Sequence, residues 1–373
     1  MKPHFLELIM TKIVVAPGKY IQGPGEIKKL YEHTSVYGND GIYALVDSFI
    51  LKTYKELIES NFQGKDVEFT MVEFGGECSQ EEIDSHKAKM AGKKYNVILG
   101  IGGGKSHDTA KAIAYELNIP VLIVPTAAST DAPTSALSVL YTPDGQFDKY
   151  LFLRSNPDAV IMDEEIIVNA PARLFVAGMG DALATYFEAD ATRRSNGSTI
   201  AGGKQTKTAM ALATLCFDTL MSDGLKAAKA VENQSLTIAV SNVIEANTLL
   251  SGMGFESGGL AASHAIHNGM TALPQLHHLL HGEKVAFGTL TQMALENRSE
   301  EEIYEVIDFC QSVGLPTTFE ALGIPDVSKE DLYKIAALAN DKNDTMGNMP
   351  FEVTDDAIVG AMYVVNALAS HEF

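Results

Sequence analysis

Asn96-Val97-Ile98-Leu99-Gly100-Ile101-Gly102-Gly103-Gly104-Lys105-Ser106 is an apolar run that breaks into glycines and passes at once into the helix-like segment Ser106 to Leu117. Short apolar runs bounded by chain breakers are how strands covered on both faces of a parallel sheet read in sequence. The glycines lack a Cβ, so backbone N–H groups can come close to a pyrophosphate, and the helix that follows adds partial positive charge there. The turn fits a diphosphate-bearing cofactor; a turn needed only for chain reversal is the alternative. Two commoner phosphate motifs nearly match and fail, because G-x-G-x-x-G requires glycine at Lys105 and G-x-x-x-x-G-K-[ST] requires it at Leu99.

Working outward, similar runs stand at Ile42 to Val46, Val67 to Phe74, Val121 to Val124 and Ala159 to Met162, with helix-length segments between them. Strand and helix in alternation predict a parallel α/β sheet whose ligand site lies outside the carboxyl ends of the strands. Asp47, at the end of one such run, is placed as a ribose-binding acid would be, and equally as a helix cap. Pro143-Asp144-Gly145 between two extended runs predicts a hairpin over Ser138 to Leu153. After Asp163 the chain turns rich in Ala, Leu, Met and Glu. Apolar residues recur at helical spacing in Ala209 to Leu220, Ile238 to Leu250, Ile303 to Val313, Leu332 to Ala339 and Ala357 to Leu368, with Gly224, Gly314 and Gly323 as stops. The expectation is an α/β domain over residues 1–165 and an all-helical domain over 166–373.

Composition supports this division of a long, well-packed chain. The 373 residues are 46% hydrophobic and 20% charged, enough for a large core without disulfides or a structural metal. A net charge of −20 argues against nucleic acid and anionic membranes, which demand a basic field. It leaves room for a small anion site made of backbone dipoles. Cys78, Cys216 and Cys310 are far apart and in no CxxC pattern, Met1 to Met10 is too short for a signal peptide and carries Glu7, and no membrane-length apolar run exists. The expected location is cytoplasmic.

His264, His267, His277, His278 and His281 fall within eighteen positions of a glycine-rich helical stretch. Neutral imidazole is a good ligand for zinc and other divalent metals, so the density predicts a metal site, with solvated helix-end histidines as the alternative. An oxygen ligand would come from elsewhere. Asp181, in Ala177-Gly178-Met179-Gly180-Asp181-Ala182, is the best candidate; Gly178 and Gly180 would let a neighbouring element come close, and the acid is expected at or near a helix start, where it could equally be a cap.

Five separated blocks, in order, then identify a family. They are Gly102-Gly-Gly-Lys-Ser-His-Asp108-Thr-Ala-Lys, Pro125-Thr-Ala-Ala-Ser-Thr-Asp131-Ala, Gly178-Met-Gly-Asp181-Ala, Glu256-Ser-Gly-Gly-Leu-Ala-Ala-Ser-His264-Ala-Ile-His267-Asn-Gly and His281-Gly-Glu-Lys-Val-Ala-Phe-Gly. Over almost its whole length the chain resembles the glycerol dehydrogenases of the iron-containing alcohol dehydrogenase superfamily. The resemblance implies their fold, dehydroquinate synthase-like: a Rossmann-like NAD-binding domain followed by an all-α metal- and substrate-binding domain. It implies a divalent metal held by Asp181, His264 and His281, with His267, His277 and His278 left to supporting roles. It implies NAD contacts from Asp47, Gly102, Gly103, Gly104, Lys105, Thr126, Ser129, Ser135, Leu137 and Tyr141, and it places Asp131 and Phe255 near a small polyol substrate. His267 is a candidate for the exit of the substrate proton.

Iron-dependent relatives are similar but carry a further histidine ligand where this chain has Thr185. Three protein ligands with open positions is how catalytic zinc is usually held, which favours Zn over Fe. Asp47 would repel a 2′-phosphate, which favours NAD over NADP. The resemblance also suggests a homo-oligomer, an octamer being one form. The nearest alternative keeps fold, nicotinamide and metal but takes an anionic substrate, as in glycerol-1-phosphate dehydrogenase or dehydroquinate synthase. Such substrates call for cationic side chains, of which Lys284 is the one closest in sequence to a ligand. An ATP-using enzyme would leave Asp181 and the histidines unexplained, and a catalytically silent metal and nucleotide sensor would not need an open metal position.

Overall fold

A computed structural model describes residues 11–370 of the chain, so the reading of Met1 to Met10 lies outside the described residues. Six strands form one wholly parallel sheet: β1 Tyr20–Gly23, β2 Gly41–Val46, β3 Glu68–Glu73, β4 Val97–Gly102, β5 Val121–Pro125 and β8 Ala159–Asp163, in the order β1-β8-β5-β4-β2-β3. β6 Leu137–Tyr141 and β7 Phe147–Phe152 pair antiparallel as the expected hairpin. The central strands β2, β4, β5 and β8 are buried along their whole length, which is why they read as continuous apolar runs. β1, at the edge, is half-buried and carries Gln22 and Gly23; too little apolar sequence marks it, and the reading of the chain above did not include it. β3, at the opposite edge, is closed by glutamates at both ends, a usual defence of an exposed edge.

Helices α1 Leu30–Ser35, α2 Ser48–Ser60, α3 Gln80–Met90 and α4 Gly104–Leu117 lie between the strands. From β2 the chain first adds β3 on one side and then returns to place β4 on the other, so the order reverses between β2 and β4. Ligands bind at such switch points, beyond the carboxyl ends of the strands. Asp47 and Gly102 meet here: the Asp47 amide donates to the Ile101 carbonyl at 2.9 Å, and a Cβ on Gly102 would lie 2.6 Å from that of Asp47.

Every named element after Asp163 is helical: α5 Glu164–Val168, α6 Ala172–Ser195, α7 Lys207–Glu232, α8 Ile238–Glu245, a π-helical turn Ala246–Leu250, α9 Ser251–Gly258, α10 Ala262–Met270, α11 His281–Leu295, α12 Glu300–Val313, α13 Lys329–Ala339 and α14 Asp355–Ala369. Three expectations are corrected here. Gly224 does not end a helix; it lies inside α7, where a Cβ would meet the Phe309 ring at 2.6 Å, so its small size serves packing. Ile238 to Leu250 is not one regular helix, because the π-turn interrupts it. Gly314, with φ +90°, does close α12, whereas Gly323, with φ +81°, lies in a turn and ends no helix. Among the described residues no helix is long and apolar enough to cross a membrane.

Candidate active site

Asp181 sits in the middle of α6 and is fully buried, not at a helix start as its glycine-rich setting suggested. The glycines act instead by close approach, as expected of them. A Cβ on Gly178 would lie 1.9 Å from the Ala128 carbonyl oxygen, and one on Gly180 would lie 2.3 Å from that of Gly282. Gly282 answers in kind, since its own Cβ would fall 1.7 Å from the Ala177 carbonyl oxygen. α6 and the first turn of α11 therefore touch backbone to backbone, which brings His281 onto Asp181.

Asp181 Oδ1 lies 3.1 Å from His281 Nε2 and 3.3 Å from His264 Nε2. Ligand atoms around a shared tetrahedral zinc stand roughly 3.3 Å apart, given zinc–ligand bonds of about 2.0–2.2 Å. One carboxylate and two imidazoles, their ligand atoms all within 4.8 Å of one another, fit a divalent cation in both spacing and chemistry. Burial alone would raise the Asp181 pKa, but His281 and His264 hold it well below the usual carboxylate range. Burial likewise opposes charge on His264, yet Glu188 and Asp181 raise its pKa well above that of free imidazole.

Glu188, fully buried on α6, is a site residue that the sequence reading missed. Its Oε2 lies 2.6 Å from His264 Nδ1, while Oε1 accepts from the amides of Ala261 and His264, both at 2.9 Å. A carboxylate can only accept, so it keeps a proton on Nδ1 and leaves Nε2, which faces Asp181, as the nitrogen free to ligate a cation. The available signal was spacing: Glu188 follows Asp181 by seven residues, two turns along one helix face.

His267 packs its ring 4.2 Å from that of His281, centroid to centroid, and its Nδ1 lies 3.0 Å from Asn268 Oδ1. Burial first, then His281 and Lys284, lower its pKa. His277 and His278 are exposed and bond to the Thr271 and Gln275 carbonyls, so they do not join the cluster. Lys284 is buried on α11, and that burial lowers its pKa. Thr185, one turn after Asp181, is buried with its methyl group against Gly254 and its hydroxyl on Ser251.

The glycine turn opens onto an uncapped helix start. α4 starts at Gly104 with Gly103 as an N-cap that offers no side-chain acceptor, so its first amides are uncapped. Cβ atoms at Gly103 and Gly104 would meet nothing within 4 Å, whereas Gly102 needs its missing Cβ and its φ of +149°. Lys105 pairs with Glu77 at 2.6 Å and lies over the Tyr141 ring at 4.9 Å. Asp47 caps α2 through Oδ1, which accepts from the Phe49 amide at 2.9 Å, so the cap reading holds, and it borders the glycine turn. The Thr126 amide donates to the Gly102 carbonyl at 3.0 Å.

Ser129 is half-buried in the loop after β5; Ser135 is buried, and Leu137 opens β6. Lys111, buried on α4, pairs with Asp108 at 2.9 Å and donates to the carbonyls of Ala132 and Leu137; Asp108 in turn accepts from the Val139 amide at 3.0 Å. This ion pair pins the loop that carries Ser135 and Leu137 to the helix after the glycine turn. Asp131 is buried on the same loop. Its amide donates to Asp181 Oδ2 at 3.2 Å, and its carboxylate accepts from Ser251 at 2.6 Å. Burial, then the charge of Asp181, raise the Asp131 pKa well above its usual range. Phe255 is buried on α9, one turn beyond Ser251.

A family model for iron-containing alcohol dehydrogenases matches residues 17–164. The chain is 49% identical to the glycerol dehydrogenase of Escherichia coli O6:H1, covering 96% of this chain and 97% of the relative. It is also 49% identical to that of Thermotoga maritima, covering 95% and 96%. The chain belongs to the iron-containing alcohol dehydrogenase family. The crystal structure of the Schizosaccharomyces pombe glycerol dehydrogenase superposes with a TM-score of 0.93 at 40% identity, covering 97% of this chain and 92% of that one. As an iron-containing alcohol dehydrogenase the chain is an oxidoreductase, and metal and NAD are typical of its family.

Proposed function

We propose that the chain oxidises the secondary hydroxyl of glycerol, or of a related vicinal diol, with NAD, glycerol giving dihydroxyacetone. The observation that carries this reading is the convergence of Asp181, His264 and His281, with Asp131 tied to the same carboxylate. Relatives at 49% identity that are glycerol dehydrogenases support the choice of substrate. In this reading residues 1–165 bind NAD, residues 166–373 hold metal and substrate, and the polyol enters the cleft between them.

When bound, the cation supplies Lewis acidity that lowers the pKa of a ligated hydroxyl, and NAD supplies the hydride acceptor. Asp181, His264 and His281 would hold the cation, and Glu188 keeps His264 in the tautomer that can do so. The uncapped amides at Gly104 and the ammonium of Lys105 receive the pyrophosphate, Asp47 the ribose, and Thr126, Ser129, Ser135, Leu137 and Tyr141 the rest of NAD. Asp131 accepts a hydrogen bond from a substrate hydroxyl, Phe255 closes an apolar wall, and His267 takes part in the exit of the hydroxyl proton. Thr185 leaves three protein ligands, which supports zinc over iron. Three buried free thiols support a reducing compartment, and a homo-oligomer completes the proposal.

The test is NADH appearance from zinc-loaded enzyme and NAD, with glycerol or glycerol 1-phosphate as substrate. Turnover of glycerol alone is the expected result. A preference for the phosphate would replace this reading with the anionic one.

A further inference from the structure

Asp131 is held by a directed chain of hydroxyl groups. Its Oδ2 accepts from Ser251 Oγ at 2.6 Å, and Ser251 Oγ in turn lies 2.8 Å from Thr185 Oγ1. With the Ser251 proton committed to Asp131, Thr185 is the donor to Ser251, so the order runs Thr185 to Ser251 to Asp131. All three side chains are buried, where a hydrogen bond left unmade is costly. Among the described residues Ser251 is the only side-chain donor to this carboxylate, which leaves Oδ1 for another partner.

Several local features exist to make this contact. The π-turn Ala246–Leu250 ends directly before Ser251 and carries one residue more than an α-turn, which advances everything after it by about 100° around the helix. Asn247 within the turn donates to the carbonyls of Ala128 and Phe175, fixing α9 against both the Asp131 loop and α6. Gly252, next to Ser251, allows the approach, since a Cβ there would fall 1.8 Å from Thr134 Oγ1. On the far side the Thr185 methyl group lies against Gly254, where a Cβ would come within 2.5 Å of it.

We infer that Thr185 and Ser251 are positioning residues for substrate selection: they fix Asp131 so that Oδ1 meets the second hydroxyl of a polyol, and so favour vicinal diols over simple alcohols. The inference rests on the reading that Asp131 contacts the substrate, and on no property of the bound metal. It assigns a use to a threonine that does not ligate the metal and to a serine that no sequence motif marked.

The experiment compares zinc-loaded wild type with Ser251→Ala, Thr185→Val, Thr185→Ser and Asp131→Asn, using glycerol and 2-propanol with saturating NAD. Ser251→Ala is expected to raise KM for glycerol about tenfold, the scale of one buried hydrogen bond. KM for 2-propanol, the NADH affinity read by fluorescence and the melting temperature should change little. Thr185→Val moves the same parameter in the same direction, and Thr185→Ser restores it. If Asp131→Asn raises KM for glycerol but Ser251→Ala does not, the hydroxyl chain is overturned and the reading of Asp131 stands. If Asp131→Asn also leaves KM unchanged, both fall. Equal loss on both alcohols, or loss of NADH binding, would mark a merely structural role and overturn the inference.

Discussion

Glu188 makes the sharpest residue-level prediction. In Glu188→Gln the amide oxygen can still accept from the Ala261 and His264 amides, but the NH₂ group then faces His264 Nδ1 and donates to it. The imidazole proton moves to Nε2 and points at the metal position. Zinc affinity, measured by competition with a chelating dye, should fall by roughly 10- to 100-fold with the fold intact; unchanged affinity would show that Glu188 does not set the tautomer. Asp47→Ala should improve the use of NADP relative to NAD in steady-state assays, at a cost of about 1 kcal/mol from the lost cap on α2. A metal site was legible in the density of histidines and in the setting of Asp181, but it was the family resemblance, not spacing, that singled out Asp181, His264 and His281. Glu188, Ser251 and Thr185 were not legible, because their roles arise where α6 meets α9 and α10, and no local pattern records that meeting.

At the scale of elements, the metal site depends on two helices that touch through glycine. Gly282→Ala would force a Cβ into the Ala177 carbonyl oxygen 1.7 Å away, parting α11 from α6 and drawing His281 off Asp181. It should lower both zinc affinity and melting temperature. Gly360→Ala is the contrasting case: in α14 it is exposed with nothing within 4 Å, and it should stabilise the protein by roughly 0.5–1 kcal/mol in chemical denaturation. The sequence reading rightly expected Gly178 and Gly180 to admit a neighbouring element but placed Asp181 at or near a helix start, since glycine usually breaks helices. Backbone contact between helices makes the same demand for glycine, and only the fold tells the two apart. Similarly, the buried strands were legible from apolar runs, while β1 and the π-turn, which lack an apolar or periodic signature, were not.

Across the molecule, α6 is also tied to the segment after α11 by charge. Asp190 lies within 3.2 Å of guanidinium groups from Arg193, Arg194 and Arg298, and although burial opposes it, these arginines lower its pKa below 3.8. A depressed carboxylate contributes stability that is present above its unfolded pKa and is lost as pH falls through the folded one. Asp190→Asn should therefore lower the melting temperature at neutral pH and flatten its decline below about pH 4; a parallel curve at every pH would refute the linkage. Cation binding should stabilise the whole chain, by about 2.7 kcal/mol at roughly 100 times Kd, and this gain should vanish in Asp181→Asn.

The most direct measurement follows NADH formation from glycerol by enzyme stripped with a chelator and then titrated with zinc. The account predicts no turnover in the stripped enzyme, recovery complete at one zinc per chain, and no recovery in His264→Ala or His281→Ala although both still bind NADH. Full turnover by metal-free protein, or by either histidine variant, would contradict it.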